Sequence, residues 1–175
     1  MNFEQFRRER GARLRELARV EKNKTQYTIN DERHAAIADE TTSIGARSFA
    51  GDTGFVSVTI PDTVTAIGYE AFENCSNLTS FTIPNGVKAI EKGTFRGCSS
   101  LTSIIIPDNV YEIGSEAFKD CIGLSSVILG CHVNYIGEAA FSGCTSLTSI
   151  IIPESMLLIR EKAFEDCTAL LSATV

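Results

Sequence analysis

The sequence predicts a mainly β solenoid of six stacked coils, with short helical or 3₁₀ turns and an N-terminal helical cap. Two observations predict this fold. Residues of the same type recur every 23 positions along most of the chain, and each repeat contains a short run in which apolar residues alternate with others. A fixed period of about 20–50 residues is typical of solenoids, in which each repeat forms one coil. We place the coils in residues 37–175, starting near residues 37, 60, 83, 106, 129 and 152.

Four columns of identical residues carry the period. They are Phe49, Phe72, Phe95, Phe118, Phe141 and Phe164; Ile44, Ile67, Ile90, Ile113, Ile136 and Ile159; Leu78, Leu101, Leu124, Leu147 and Leu170; and Cys75, Cys98, Cys121, Cys144 and Cys167. A single coil buries too little apolar surface to offset the entropy of ordering its chain. We therefore expect these columns to stack and form the core.

Each repeat divides into three local patterns. The run L-x-x-I-x-I-P, as in residues 101–107, predicts a strand with one buried face that ends at proline, because proline cannot donate a ladder hydrogen bond. The run V-x-x-I-G predicts a second, shorter extended segment. The run A-F-x-x-C is too short for a full helix and predicts one helical or 3₁₀ turn.

The repeat I-P-x-x-V-x-x-I-G-x-x-A-F-x-x-C-x-x-L, as in residues 60–78, resembles the BspA-like leucine-rich repeats of bacterial and protist proteins. The resemblance covers about residues 37–175 and implies a leucine-rich-repeat solenoid. It also implies a non-enzymatic protein that is secreted or held at the cell surface, since many members look like adhesins. The sequence departs from the pattern at a few columns: Asp52 replaces cysteine, Ala38 and Gly130 replace proline, and Glu91 and Arg160 replace glycine.

The charge distribution divides the chain in two. Residues 1–24 carry +4, which leaves −10 for the remainder of a chain of net charge −6. An acidic body repels phosphate backbones, so we expect no nucleic-acid partner. The sequence contains no run of about 18 apolar residues, so it predicts no transmembrane helix. The charged N-terminus also lacks the apolar region of a signal peptide, so the sequence leaves the compartment open.

The first 36 residues precede the coils. Residues 1–24 carry apolar side chains at approximately helical spacing, at Phe3, Phe6, Leu14, Leu17 and Val20. We expect a basic helical cap over the first coil; contact with an anionic membrane or with a partner is the alternative that we do not favour. Residues 25–36 form a lead-in segment with a strand candidate at residues 27–29.

Two columns of strand residues are predicted to face outward on the concave sheet. The candidate partner-binding residues are Ser80, Thr82, Ser103, Ile105, Ser126, Ile128, Ser149 and Ile151. The stacked isoleucines form a narrow apolar stripe among hydroxyl groups. We hypothesise that the stripe docks a protein segment, although the preference of isoleucine and threonine for strands would by itself produce the same pattern.

The last coil is unusually apolar for a terminal repeat. Leu157, Leu158 and Leu171 occupy columns that are mostly polar in the other coils. Terminal repeats of solenoids normally present a polar outer face. Three explanations remain open: another copy of the chain covers this end, more protein follows it, or the leucines pack locally.

Nothing in the sequence supports catalysis, and we expect no metal and no cofactor. The five-membered cysteine column runs along the solenoid instead of converging on one point, as metal ligands must, so we interpret it as buried free thiols. Cys131 lies in a polar column and is expected to be exposed and more readily oxidised. The neighbouring His132 has no partner set for a triad, because the other histidine, His34, lies about four coils away.

The predicted function is non-enzymatic protein–protein recognition through a rigid repeated surface, and the family resemblance implies an adhesin-like role. The alternative is a structural unit that self-associates end to end through its open C-terminal coil.

Overall fold

The computed structural model describes residues 27–174, and in this range every secondary-structure element is a short strand. In chain order the strands are β1 (Tyr27–Ile29), β2 (His34–Ile37), β3 (Ser43–Ile44), β4 (Ser57–Thr59), β5 (Ala66–Ile67), β6 (Ser80–Phe81), β7 (Ala89–Ile90), β8 (Ser103–Ile105), β9 (Glu112–Ile113), β10 (Ser126–Ile128), β11 (Tyr135–Ile136), β12 (Ser149–Ile151), β13 (Leu158–Ile159) and β14 (Ser172–Thr174). The mainly β solenoid is confirmed. The helical cap predicted for residues 1–24 lies outside the described residues.

The strands form two sets of ladders, one on each side of the coil, and every pair except β1-β2 is parallel. The first set has the order β1-β2-β4-β6, then β8-β10, then β12-β14; the second has β3-β5, then β7-β9-β11-β13. Paired residues are one repeat apart, as in Ser57↔Ser80 and Ile136↔Ile159. The 23-residue period is therefore the register of the sheets, and like residues stack on like.

The lead-in segment forms a β-hairpin that begins the solenoid. β1 pairs antiparallel with β2, with Tyr27 opposite Ile37, which confirms the strand candidate at residues 27–29. The amide oxygen of Asn30 accepts hydrogen bonds from the N–H groups of Glu32 (3.0 Å) and His34 (2.9 Å), and so holds the turn. The first parallel strand of the outward-facing ladder is thus β2, which begins three residues before the predicted start of the first coil at residue 37.

The prediction of a helical or 3₁₀ turn at A-F-x-x-C is wrong for the described residues, which contain turns but no helix. In the second coil Ala71 N–H donates to Gly68 C=O (3.2 Å), whereas the next N–H, that of Phe72, donates to Thr94 C=O of the following coil (2.9 Å). Glu70 and Asn74 take left-handed φ values of 55° and 56°. Alternate N–H groups are therefore used between coils, and a continuous helix cannot form.

The predicted columns form the core. The stacked phenylalanine rings are nearly parallel, with centroids 4.9–5.7 Å apart and interplanar angles of 10° or less. The cysteine thiols also bond across coils: Cys98 Sγ donates to Phe72 C=O at 3.1 Å, and each of the other four column cysteines repeats the contact. The thiols are free and bind backbone instead of each other, which confirms their structural role.

The replacement of cysteine by Asp52 is explained by the hairpin. The Tyr27 hydroxyl donates to Asp52 Oδ2 at 2.7 Å, and Gly54 N–H donates to Asp52 Oδ1 at 2.7 Å. The Tyr27 ring packs edge-on against Phe49, with centroids 4.9 Å apart. The first position of the cysteine column therefore anchors the hairpin to the coil instead of joining a thiol ladder.

Candidate recognition face

The outward-facing residues of β2, β4, β6, β8, β10, β12 and β14 form one continuous surface, which we call the strand face. The serine column and the threonine/isoleucine column both lie on it, as the alternation predicted, while the residues between them point into the core. All eight candidate partner-binding residues are exposed. The structure thus brings them together on one surface.

Three isoleucines dominate the middle of the strand face. Ile105, Ile128 and Ile151 are 62%, 56% and 72% exposed. They extend from strands whose inward residues, Ile104 and Ile150, are each only 2% exposed, so the backbone beneath the stripe is fixed by the core. Exposed apolar groups on a fixed backbone lose little conformational entropy when they are covered, which favours binding.

Sequence reasoning missed His34, which lies at the β2 end of the strand face. Its Nδ1 lies 2.7 Å from Ser57 Oγ and its Nε2 lies 2.8 Å from Thr59 Oγ1. His34 therefore joins the two outward columns and fixes both hydroxyl groups. The signal was present, because His34 precedes Ser57 by one 23-residue repeat, but the residue had been placed in the lead-in segment.

Cys131 and His132 lie on a different side of the coils. A shallow depression of about 580 Å³ there is lined by Lys88, Asp108, Asn109, Tyr111, His132, Asn134 and Ser155. Cys131 is exposed, as predicted. The Asp108 carboxylate, which accepts the N–H of Cys131 at 2.9 Å, raises the pKa of the Cys131 thiol above its usual value. The thiol is therefore held protonated at neutral pH, which opposes the reactivity that its exposure suggested.

The four buried column cysteines, Cys75, Cys98, Cys121 and Cys144, are equally unreactive. Burial raises the pKa of Cys98 and Cys144 to about 12, and it raises the pKa values of Cys75 and Cys121 as well. A thiolate is both the nucleophile and the metal ligand, so these groups are poor candidates for either task. Within residues 27–174, no group of three or more His, Cys, Asp or Glu side chains is arranged to hold a metal ion.

The C-terminal coil leaves its core face open within the described residues. Leu157 and Leu171 are 83% and 90% exposed, and Leu158 is 45% exposed. The column residue Ile159 is 39% exposed, whereas Ile136 one coil earlier is fully buried. The apolar end is therefore larger than the three leucines that the sequence indicated, because the columns themselves reach the surface here.

The stacked coils, the two parallel ladders and the apolar columns define a leucine-rich-repeat solenoid. The profile of the BspA type leucine rich repeat region matches residues 27–144 in six copies, and this chain belongs to that family. No curated protein matches the chain significantly. No enzyme family is indicated. Among the described residues, no helix has the length and apolarity needed to cross a bilayer.

Solved structures of bacterial repeat proteins share the fold. A leucine-rich repeat protein from Bacteroides ovatus is 27% identical, with a TM-score of 0.61 over 90% of this chain and 53% of that chain. A leucine rich cell surface protein from Faecalibacterium prausnitzii is 28% identical, with a TM-score of 0.53 over 78% of this chain and 52% of that chain. The chain thus spans about half the length of these two proteins. The pneumococcal vaccine antigen PcpA, 24% identical with a TM-score of 0.59 over 73% of this chain and 35% of that chain, shares the fold.

Proposed function

We propose that the chain is a non-enzymatic recognition module that binds a protein partner through the strand face. The observation that carries this proposal is the stripe of Ile105, Ile128 and Ile151, each more than half exposed on a backbone fixed by the core. Burial of apolar surface favours association by about 25 cal/mol per Å² before the entropic costs of binding. Evenly spaced hydroxyl groups beside the stripe can hydrogen-bond to a partner's backbone.

The same proposal includes the absence of catalysis, which the described residues support. An active site needs polar groups that converge in a pocket with shifted pKa values suited to the reaction. On the described residues, the shifts that the structure produces hold thiols in their protonated form, which is the wrong direction for a nucleophile. Recognition without chemical change is the function that remains.

We place this recognition at the cell surface, in an adhesin-like role. The support is the family, together with the resemblance to a cell surface protein of Faecalibacterium prausnitzii. Surface immunostaining of intact cells of the source organism tests the location, with permeabilised cells as the positive control. Staining that requires permeabilisation would contradict it.

Display selection against the chain tests the recognition face directly. Peptides from a random library are selected on the immobilised protein, and their affinities are measured for the Ile105→Thr, Ile128→Thr and Ile151→Thr triple variant. Threonine retains the strand preference and is already present in this column at Thr59 and Thr82, so the fold should persist. We expect the triple variant to lose at least about tenfold in affinity, equivalent to about 1.4 kcal/mol.

A matched triple variant controls for the loss of exposed apolar groups in general. Tyr69, Tyr111 and Ile122 lie off the strand face and are 54%, 47% and 51% exposed. Changing all three to threonine should leave the affinities of the selected peptides unchanged. The proposal fails if the two triple variants behave alike, or if only the control variant loses binding.

The open C-terminal coil supports a second candidate, end-to-end self-association. The specific observation is the exposure of Leu157 and Leu171, at 83% and 90%, beside a partly exposed column residue, Ile159. An apolar surface next to the edge strand β14 is prone to pairing with another chain. This candidate concerns the end of the solenoid, so it is compatible with recognition by the strand face.

A further inference from the structure

One interface between coils interrupts both sets of ladders, whereas the step from β10 to β12 interrupts only the first set. It separates the coil of residues 60–82 from the coil of residues 83–105, and we call it the seam. β6 does not pair with β8 there, and β5 does not pair with β7, so the seam interrupts both ladders. The Phe72 and Phe95 ring centroids are 5.7 Å apart, the widest step of the phenylalanine column.

Backbone hydrogen bonds across the seam are lengthened or absent on both ladders. The Thr102 N–H lies 3.4 Å from Thr79 C=O, whereas the equivalent contacts of Thr79 and Ser125 with their preceding coils are 2.8 Å and 2.9 Å. Among residues 27–174, the N–H groups of Lys88 and Glu91 have no backbone acceptor in the preceding coil. The seam stays closed on the turn side, where Phe72 N–H donates to Thr94 C=O at 2.9 Å.

Phe81 explains the opening. The inward position of this strand column holds valine or isoleucine in four other coils, at Val58, Ile104, Val127 and Ile150. The larger Phe81 ring packs edge-on against both Phe72, at 4.8 Å, and Phe95, at 4.7 Å. The Phe81 ring lies between Phe72 and Phe95 and increases their separation, and β6 and β8 are therefore farther apart.

Glu91 adds to the separation on the other ladder. Most coils have glycine at this column, and a Cβ placed on Gly68 or Gly137 would lie 2.5 Å or 2.4 Å from backbone of the preceding coil. The side chain of Glu91 cannot be accommodated at that distance. At Arg160, the other replacement, the N–H still reaches Ile136 C=O at 2.9 Å, so the opening is confined to the coil that also follows Phe81.

The seam opens on the strand face as a crevice of about 410 Å³. Its walls are β6 and β8 with the residues that follow them, and its lining comprises Ser80, Phe81, Thr82, Ile83, Asn85, Ser103, Ile104, Ile105 and Pro107. Inward residues of the two strands form an apolar floor, hydroxyl groups form the rim, and none of the lining residues is charged. The N–H of Ile83 has no backbone acceptor among the described residues.

We propose that the seam crevice binds an uncharged, extended peptide segment of the partner, with one aliphatic side chain inserted between β6 and β8. This inference rests on the proposed function and specifies where on the strand face the partner is anchored. The volume lies within the range of about 300–1,000 Å³ that is typical of ligand sites. The rim hydroxyls, the Asn85 amide and the free N–H of Ile83 can bond to the peptide backbone.

The absence of charge in the lining determines the specificity. An ionised side chain in the crevice would lose its hydration without gaining an opposite charge, which costs more than the loss of an aliphatic contact. We therefore expect discrimination against lysine and glutamate at the inserted position, and tolerance of leucine, isoleucine and valine.

Fluorescence anisotropy with a defined probe tests the proposal on the full chain. The probe is a fluorescein-labelled peptide Ser-Thr-Leu-Thr-Ser with an amidated C-terminus, and its twin carries lysine in place of leucine. We expect the leucine probe to bind at least about tenfold more tightly than the lysine probe. Ser103→Arg, which places a long side chain on the rim without touching the core, should abolish binding. Ser149→Arg, in the same exposed column two coils away, should leave binding unchanged.

A second variant tests the wedge itself. Phe81→Val installs the residue of Val58 and Val127, and it should close the seam and remove probe binding while a thermal melt shows that the protein stays folded. Equal binding of the two probes, or equal effects of the two arginine variants, would overturn the proposal. If Ile128→Thr abolishes probe binding and Ser103→Arg does not, the proposal of a crevice site is overturned, whereas recognition by the strand face is retained. If the leucine probe does not bind, the proposal of a crevice site is overturned. The display selection then tests recognition by the strand face on its own.

Discussion

At the scale of single residues, the same property of a side chain has different physical causes at different positions of the coil. Cys131 and the five column cysteines are all free thiols with raised pKa values, but for different reasons. In the column the main cause is burial, whereas at Cys131 it is the neighbouring Asp108 carboxylate. Each cause can be tested by a separate experiment.

Removing the Asp108 charge should activate Cys131. We expect Asp108→Asn to lower the pKa of the thiol and to increase its rate of alkylation by iodoacetamide at pH 7.5 severalfold, because only the thiolate reacts. The rate is followed by intact-mass spectrometry of the native protein, in which the buried thiols should stay unmodified. Asp62→Asn changes the same column two coils earlier and should have no effect. An unchanged rate in Asp108→Asn would contradict the assigned cause.

Alkaline pH should weaken the fold through the cysteine column. Burial raises the pKa of Cys98 and Cys144 to about 12, whereas a thiol in an unfolded chain has a pKa near about 8.5. The unfolded state therefore loses protons first, so the free energy of unfolding is highest below about pH 8.5 and decreases as pH rises towards 12. Urea unfolding in reductant between pH 7 and pH 11 measures the decrease. Cys98→Ser cannot titrate in this range and should show a shallower dependence; an identical slope would contradict the explanation.

At the scale of structural elements, ion pairs between coils secure the turn side of the solenoid. Arg96 donates to Glu73 through Nε at 3.0 Å and to Glu116 at 3.1 Å, and so spans three successive coils. Glu73 is only 8% exposed. A buried carboxylate without its cation is costly, and the Arg96 side chain is 34% exposed, against 63% for that of Arg47 in its pair with Glu70.

Removing the Arg96 guanidinium should therefore destabilise the fold. We expect Arg96→Met to lower the free energy of unfolding by about 2 kcal/mol, because Glu73 is left buried without a partner. Lys119 lies in the same column one coil later and forms no ion pair among the described residues. Lys119→Met should change the free energy of unfolding by less than about 0.5 kcal/mol. Chemical denaturation of both variants measures the difference, and equal effects would contradict the role of the network.

How much of these elements could be predicted depends on whether a single coil contains the cause. The 23-residue period predicted the strands, the core columns and the outward residues, because each follows from its own repeat. The helical turn predicted at A-F-x-x-C was wrong because alternate hydrogen bonds of this turn run to the next coil, as from Phe72 to Thr94, and a single repeat does not contain that partner. The seam was not predicted, because in the sequence Phe81 is one more apolar residue of its strand. Its effect depends on contacts with the Phe72 and Phe95 rings, which only the structure shows.

At the scale of the whole molecule, a solenoid is stabilised by contacts between neighbouring coils, so its ends differ from its middle. The described N-terminal end has a hairpin in which Tyr27 and Asp52 are bonded. The C-terminal coil has column residues such as Ile159 partly in solvent. This asymmetry locates the surface on which self-association would depend.

Light scattering across a range of concentrations tests self-association. We expect a mass that increases with concentration, and a constant monomer mass for the triple variant Leu157→Asn, Leu158→Glu and Leu171→Thr, which installs polar residues that occur in these columns. The variant that changes Tyr69, Tyr111 and Ile122 to threonine should associate like the original chain. A monomer at every concentration would contradict end-to-end association and leave the strand face unaffected.

Isoleucine δ1-methyl NMR tests recognition by the strand face most directly. A peptide obtained by display selection is titrated into the full chain labelled at these methyl groups, with exposed reporters on three surfaces: Ile105, Ile128 and Ile151 on the strand face, Ile122 off it and Ile159 at the open end. We expect the three strand-face signals to shift in proportion to bound peptide, while the Ile122 and Ile159 signals stay in place. Shifts of Ile122 or Ile159 without shifts of the strand-face methyls would contradict recognition by the strand face.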